Sequence, residues 1–361
     1  MAHLRVETNR LRKGMTIKNN VYSRSGAVLV PENTPVTKDI VSLLSRHFIN
    51  HVIVEYDTEI PIPSLQGDPV PGEPHTINEK KLEEFKKSFE TVENTLAQSL
   101  MDIVSNDTEI DVNTLLNMLN SIVEKSESNI NLCDMLLQMK KTSEGLYAHS
   151  INVALFAQIL AKWMDFEKQD IEMVMISALL HDIGILKIPG IDMQTFSFKD
   201  ELEGGRYEKH VIYGYNIIKD KNLDNRIKQA ILTHHERMDG HGFPLQVSVS
   251  NINRLSRCMA VADIYDTLTM KEKNRASMSA FDVLKELEEH GHYKLDPQML
   301  MTFISKISNN FVQHNVLLST GEHAQIVLIN KYNLSRPLVQ VGSAFVDLAT
   351  RNDITIKELL D

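Results

Sequence analysis

Adjacent His181 and Asp182 close an apolar run, Ala178-Leu179-Leu180, and Gly184 follows just past them. Polar groups at the buried end of an apolar helix are costly unless they are paired or bound to something. Taken alone, such a pair reads more readily as a satisfied hydrogen bond inside a core. It is not alone. His149 lies upstream, and His210, the doublet His234-His235 and Asp263 follow. Each falls in or beside a segment with apolar residues at helical spacing, so several helices must bring polar groups to one centre. Imidazoles mixed with carboxylates suit Zn, Fe or Mn better than Mg or Ca. A binuclear metal site accounts for the two doublets better than isolated core pairs do.

The helical pattern extends from about Ile130 to Phe311. Leu146 to Met164, Lys168 to Leu180, Arg206 to Lys219, Leu223 to His234, Ile252 to Thr269, Met278 to Glu289 and Met299 to Phe311 all carry it. Breaks are expected at Gly190, Gly204-Gly205 and Gly240-Gly242-Pro244. The predicted fold class is mainly α, with an all-α domain at 140–311 flanked by smaller modules. Residues 1–56 predict a small α/β module, with a hairpin turned at Gly26 and a helix opening at Thr37-Lys38-Asp39. Residues 57–76 hold Pro61, Pro63, Pro69, Pro71 and Pro74, a linker composition.

Within 77–139, Leu82, Phe85, Phe89, Val92, Leu96 and Ile103 form a narrow seam, and Val112 to Val123 gives a second apolar pattern. A helical hairpin within one chain is the plain reading, and a homodimer seam the sharper one. Residues 312–361 predict a small β appendage with a closing helix at Ile356 to Leu360.

The chain has 361 residues, which favours two or three domains. A net charge of −10 argues against a nucleic-acid polymer as partner. Cys133 and Cys258 form no metal or redox motif. No run approaches the roughly 18 apolar residues of a membrane span. The charged start, from Arg5 to Lys13, has no signal-peptide core. A cytoplasmic protein without membrane insertion is expected.

Several segments together resemble the HD-GYP family, over roughly residues 140 to 311. They are Tyr147-Ala148-His149-Ser150, His181-Asp182-Ile183-Gly184 with Ile188-Pro189, His210 with Gly214, His234 to Pro244, Ala262-Asp263-Ile264-Tyr265-Asp266, and Asp296-Pro297. The resemblance implies an all-α HD-type phosphodiesterase with a binuclear or trinuclear iron or manganese centre; Zn, Ni or Co could also occupy it. By position, His149, His181, Asp182 and Asp263 would hold one metal, and Asp182 would bridge to a second held by His210, His234 and His235. Asp182, His181 and His235 fall at catalytic positions. Arg237, Asp239, Gly240, Gly242, Phe243, Pro244, Lys187 and Arg275 fall at substrate-binding ones. Gly242-Phe243-Pro244 stands where the family has Gly-Tyr-Pro.

Three departures accompany the resemblance. The family's Lys after His-Asp-x-Gly is Ile185, its Arg-Pro-Tyr-Arg segment reads Glu272-Lys273-Asn274-Arg275, and its Lys-Pro-Gly stretch is absent between Pro189 and His210. By analogy with one oxyanion donor, losing a transition-state cation costs about 2.7–4 kcal/mol; Lys187, Lys273 and Arg275 are the candidates to compensate. The expected function is hydrolysis of a cyclic dinucleotide, cyclic di-GMP foremost, by a metal-bridging hydroxide, in bacterial second-messenger signalling. The alternatives are a cyclic di-GMP receptor signalling through its N-terminal module, and a phosphodiesterase for another phosphate ester.

Overall fold

The computed structural model describes residues 2–8, 11, 15–22, 28–46, 49, 51–56, 79–139, 145–190, 208–270 and 278–360. The chain divides into two compact units, Met1–Glu73 and Pro74–Asp361. The proline-rich stretch, the Gly26 turn and the 272–275 segment lie outside the described residues.

The first unit is a small α/β assembly. Strands β1 (Ala2–Glu7), β2 (Thr16–Ile17), β3 (Val21–Tyr22), β4 (Val28–Val30) and β5 (Thr34–Pro35) precede helix α1 (Lys38–Arg46), and β6 (His51–Tyr56) follows it. Four strands form an antiparallel sheet in the order β1-β6-β2-β5, while β3 and β4 pair as a ribbon. Period-two burial sends Val52 and Val54 inward and Ile53 outward, as a one-sided sheet requires. Thr37 accepts the Ile40 N–H and starts α1 where the sequence placed it.

The second unit is built from helices and closes with a sheet. Its first helices are α2 (Glu79–Asn106), α3 (Val112–Val123), α4 (Asn129–Met139), α5 (Leu146–Trp163) and α6 (Lys168–Leu180). They are followed by α7 (Lys209–Ile218), α8 (Asn225–Thr233), α9 (Arg254–Thr269), α10 (Ala280–Glu286), α11 (His292–Lys294) and α12 (Pro297–Asn310). Helix α5 is buried on every side from Ala148 to Ala161, as an all-round apolar helix must be. It packs against α6 and α9, so His149, His181 and Asp263 start from neighbouring helices. Side-chain caps set the helix starts: Asp224 for α8, Asn253 for α9, and Asp296 with Pro297 for α12.

The α2 seam packs inside the chain. Phe85, Phe89, Val92, Leu96, Leu100 and Ile103 are all buried, and α2 contacts α3, α4 and α5. The plain reading of a helical hairpin describes this segment. The six seam side chains are thus buried against helices of their own chain.

The C-terminal strands are β7 (Asn315–Leu318), β8 (His323–Asn330), β9 (Asn333–Val341), β10 (Ala344–Asp347) and β11 (Ile356–Leu359). They form one antiparallel sheet in the order β10-β9-β8-β7-β11. The closing helix expected at Ile356 to Leu360 is therefore a strand. Its burial alternates, with Ile354 and Ile356 inside and Thr355 and Lys357 outside, and β7 supplies the backbone partners that a short helix would lack. Val316, Leu318, Ile326, Val339 and Ile356 join the helical core, so the sheet is part of this unit and not an appendage.

A further carboxyl of this unit, Asp134, is buried. Asn310 of α12 donates to Asp134 of α4, and both are buried. Burial pushes the Asp134 carboxyl up to about 7, against a weaker opposing effect of the Asn310 hydrogen bond. The folded chain thus keeps a proton that the unfolded chain releases near 3.8, so stability falls as pH rises from there to about 7. Asp134→Asn should remove a few kcal/mol of this pH dependence. Urea unfolding of both proteins at about pH 5 and about pH 8 checks it; equal pH dependence in the two would refute the assignment.

Candidate metal centre

Two helices deliver their ligand doublets in the same way. Helix α6 ends at Leu180 and α8 at Thr233, so His181-Asp182 and His234-His235 sit just past the last helical residue. This differs slightly from the sequence reading, which put both pairs on the helices themselves. His181 Nδ1 lies 2.6 Å from the Ala178 carbonyl, and His234 Nδ1 lies 2.6 Å from the Ile231 carbonyl. Each carbonyl is among those a helix C-terminus leaves without an intrahelical partner. Because a carbonyl can only accept, each imidazole carries its proton on Nδ1 and turns Nε2 inward.

Helix α7 brings His210 by a backbone-to-backbone contact. The 3-10 turn Ile183–Lys187 follows Asp182 and packs against α7. A Cβ added to Gly184 would lie 1.9 Å from the His210 carbonyl oxygen and 2.3 Å from the Gly214 nitrogen. Gly184 allows this approach, which carries His210 Nε2 to 3.1 Å from Asp182 Oδ1.

The seven residues read as ligands converge, and all are buried. Asp182 stands between two sets. Its Oδ1 is 3.1 Å from His210 Nε2 and 3.8 Å from His234 Nε2, while its Oδ2 is 3.2 Å from His181 Nε2 and 3.7 Å from His149 Nε2. Donor atoms of Asp182, His210, His234 and His235 lie within 4.8 Å of one another, as do those of His149, His181 and Asp182. Asp263 also spans: Oδ1 is 3.4 Å from His149 Nε2 and Oδ2 is 3.9 Å from His235 Nδ1. The resemblance gave Asp263 to the His149 side alone, whereas its two oxygens face both sides.

The electrostatics fit cations. Burial alone would raise Asp182, but the His181 and His210 charges outweigh it and hold this carboxyl well below its ordinary range. Burial likewise opposes the charged form of His149, yet its bonds and charges with Asp263 and Asp266 push it up to about 10. His234 goes the other way, down to about 3, first through burial and then through the His181 and His210 charges. A neutral His234 with its proton on Nδ1 presents a lone pair at Nε2, 3.2 Å from His210 Nε2. His181 Nε2 and both Asp182 oxygens are buried without a hydrogen-bond partner. Imidazole nitrogens and carboxylate oxygens converging in one buried cluster form a donor set for divalent ions of the Zn, Fe or Mn type.

The loop after the second doublet forms a wall. Phe243 lies on the His235 ring with centroids 4.6 Å apart. A Cβ on Gly242 would meet the backbone of Glu236, Arg237 and His235 at 2.4 to 2.5 Å, so the loop crosses itself there. Arg237 is half-buried, and its charge helps depress His235, after burial and the two neighbouring imidazoles. Asp239 accepts the His241 N–H within its own turn, and Gly240 has φ +77° in that turn. Pro244 continues the wall.

Lys187 is exposed on the 3-10 turn while Ile185 is fully buried, so the two side chains leave it on different sides. Arg275 lies outside the described residues.

Two contributors escaped the sequence reading. Asp266 lies three residues past Asp263 on α9, a spacing that puts both on one face, and its Oδ2 is 2.7 Å from His149 Nδ1. Glu236 directly follows His235 and is buried. Its carboxylate accepts the N–H groups of Leu245 at 2.6 Å, Gln246 at 3.1 Å and Val247 at 3.2 Å. The first had a helical spacing to betray it; the second depends on a loop closure that no local pattern encodes. Glu236→Gln replaces one acceptor oxygen by an NH2 facing backbone donors. It should cost about 1–3 kcal/mol in denaturant unfolding, and a loss below about 0.5 kcal/mol would mean that the loop is held by other contacts.

Residues 131–299, which contain all seven candidate ligands, match the HD domain family. The chain is 26% identical over 208 residues to the cyclic di-GMP phosphodiesterase PA4108 of Pseudomonas aeruginosa, covering 57% of this chain and 50% of that protein. It is 29% identical over 150 residues to the 3'3'-cGAMP-specific phosphodiesterase 3 of Vibrio cholerae, covering 42% of this chain and 33% of that protein. To the cyclic di-GMP phosphodiesterase PdeB of Borreliella burgdorferi it is 28% identical over 191 residues, covering 53% and 50% respectively. The chain therefore spans no more than about half the length of these relatives.

Proposed function

We propose that this chain, whose residues 131–299 match the HD domain family, is a metal-dependent phosphodiesterase of the HD-GYP type, with a cyclic dinucleotide as substrate and cyclic di-GMP foremost. The observation that carries this reading is the buried convergence of His149, His181, His210, His234, His235 and Asp263 on Asp182. The similarity to relatives named for hydrolysis of cyclic di-GMP and 3'3'-cGAMP supports the substrate class.

His149, His181, Asp182 and Asp263 would hold one divalent ion, and His210, His234, His235 and the second oxygen of Asp182 another; Fe or Mn suits this set. Such a pair supplies Lewis acidity toward phosphoryl oxygens and acidifies water. The chain itself does the rest. Asp182 directs one oxygen to each side, and Asp263 does the same less closely. The carbonyls of Ala178 and Ile231 fix which nitrogen of His181 and His234 faces the centre. Phe243, backed by His235, offers an apolar face on which a purine can stack, with Arg237 nearby as a cation for phosphate.

A second reading draws on Ile185. Its side chain is buried with Leu146 and Ile188, and Tyr147, Leu186, Tyr213 and Met270 pack against them. A lysine there would have to thread its stem through this cluster, and Lys187 does not share that side. Few cations beside the centre among the described residues favour binding with slow turnover, hence a receptor, or a different phosphate ester.

Incubating Mn- or Fe-loaded protein anaerobically with cyclic di-GMP and, separately, 3'3'-cGAMP should give a linear dinucleotide or mononucleotides. Binding by calorimetry without product would favour the receptor. Neither binding nor product from either would reject the cyclic-dinucleotide reading, and a panel of phosphate esters would then identify the substrate class. Asp182→Ala should lose both metals, while His210→Ala should keep about one per chain, as read by elemental analysis. Retention of two metals by Asp182→Ala would rule out its bridging role.

A further inference from the structure

The two sides of the centre are not equivalent, and the difference lies beyond the ligands. We propose that Asp266 is a positioning residue that locks the His149 imidazole, with Nε2 toward Asp182 and Asp263, and makes that side the tighter of the two metal positions. The inference rests on the metal reading given above.

The geometry is specific. Asp266 is fully buried on α9, and His149 is buried on α5, 117 residues apart in the chain. The carboxylate accepts the Nδ1 proton at 2.7 Å, which orients the ring so that Nε2 faces Asp263 Oδ1 at 3.4 Å and Asp182 Oδ2 at 3.7 Å. His181 and His234 achieve the same tautomer with neutral backbone carbonyls. A carboxylate does more than a carbonyl: it makes the imidazole a stronger donor and adds negative charge in a dry site.

The charge count follows from the same contacts. On the His149 side stand an oxygen of Asp182, an oxygen of Asp263 and, through the ring, Asp266. On the opposite side His210, His234 and His235 share the other oxygen of Asp182, and Asp263 approaches only at 3.9 Å. The side with three carboxylates attracts a divalent cation more strongly than the side with three imidazoles and one close carboxylate oxygen.

The test uses the full chain stripped of metal and titrated with Mn2+ by calorimetry, with electron paramagnetic resonance of bound Mn2+ as a second readout. The unaltered protein should bind in two resolved steps. Asp266→Ala should weaken the tighter step by about 10- to 100-fold and leave the weaker step in place. Asp266→Asn keeps the shape and an acceptor oxygen but not the charge, so it should fall between and change the resonance of the tighter site. His210→Ala should remove the weaker step and so identify it.

A purely packing role for Asp266 predicts otherwise: lower thermal stability, with both steps unchanged or both weakened alike in Asp266→Asn. Either result overturns the proposal. If the unaltered protein binds no Mn2+, the metal reading falls and this one with it. If it binds two ions and the variants match it, only this proposal falls.

Discussion

A single buried carboxylate, Asp182, fixes what the rest of the helical unit has to do. An isolated carboxylate at that depth would be untenable, and burial by itself drives its proton affinity up. The imidazoles of His181 and His210 reverse the effect. Those of His149 and His234 stand 3.7 and 3.8 Å from the same two oxygens, which makes the packing of α5, α6, α7 and α8 a condition of the site. Fold and chemistry share one constraint here. The helices cannot slide past one another without stranding a charge.

The means of holding them are ordinary features of helices. The ends of α6 and α8 leave carbonyls in need of donors, and the first imidazole of each doublet supplies one while turning its other nitrogen inward. Helix α7 comes close enough because Gly184 has no side chain where the backbones meet. Asp263 and Asp266 share a face of α9, so one helix contributes both a direct partner of His149 and the carboxylate behind its ring. Rigidity extends into the loop, where Glu236 ties three backbone N–H groups directly beside His235. In the same loop Phe243 lies on the His235 ring.

The helical unit also resolves the status of the segments around it. The amphipathic α2 and α3 close over α5 and α6, and the C-terminal sheet lays its apolar face on α10 and α12. Both therefore act as cover for a core that encloses the ligand-bearing helices. The Met1–Glu73 unit has its own core, built from Ile17, Leu44, Val52, Val54 and their neighbours. None of the candidate ligands belongs to it.

Much of this was legible in the residues themselves. Helical spacing predicted the ligand-bearing segments, because an amphipathic or fully apolar helix writes its burial at a fixed period. The doublets and Asp263 stood out because polar groups interrupt those apolar runs. Seam residues such as Phe85 and Leu96 announced that they would be buried, but not by what, since an apolar stripe is the same for a neighbour in the chain or a second copy. Ile356 was misjudged for a related reason. Four residues are too short for periodicity to separate helix from strand, and pairing with β7 decided it. The sequence by itself determined which side chains would be polar and buried. Only the tertiary structure decided that Asp263 faces both sides, that Asp266 backs His149, and that Ile185 turns into an apolar cluster. Those outcomes depend on where separate helices meet, and hydrophobic periodicity carries no information about distances between them.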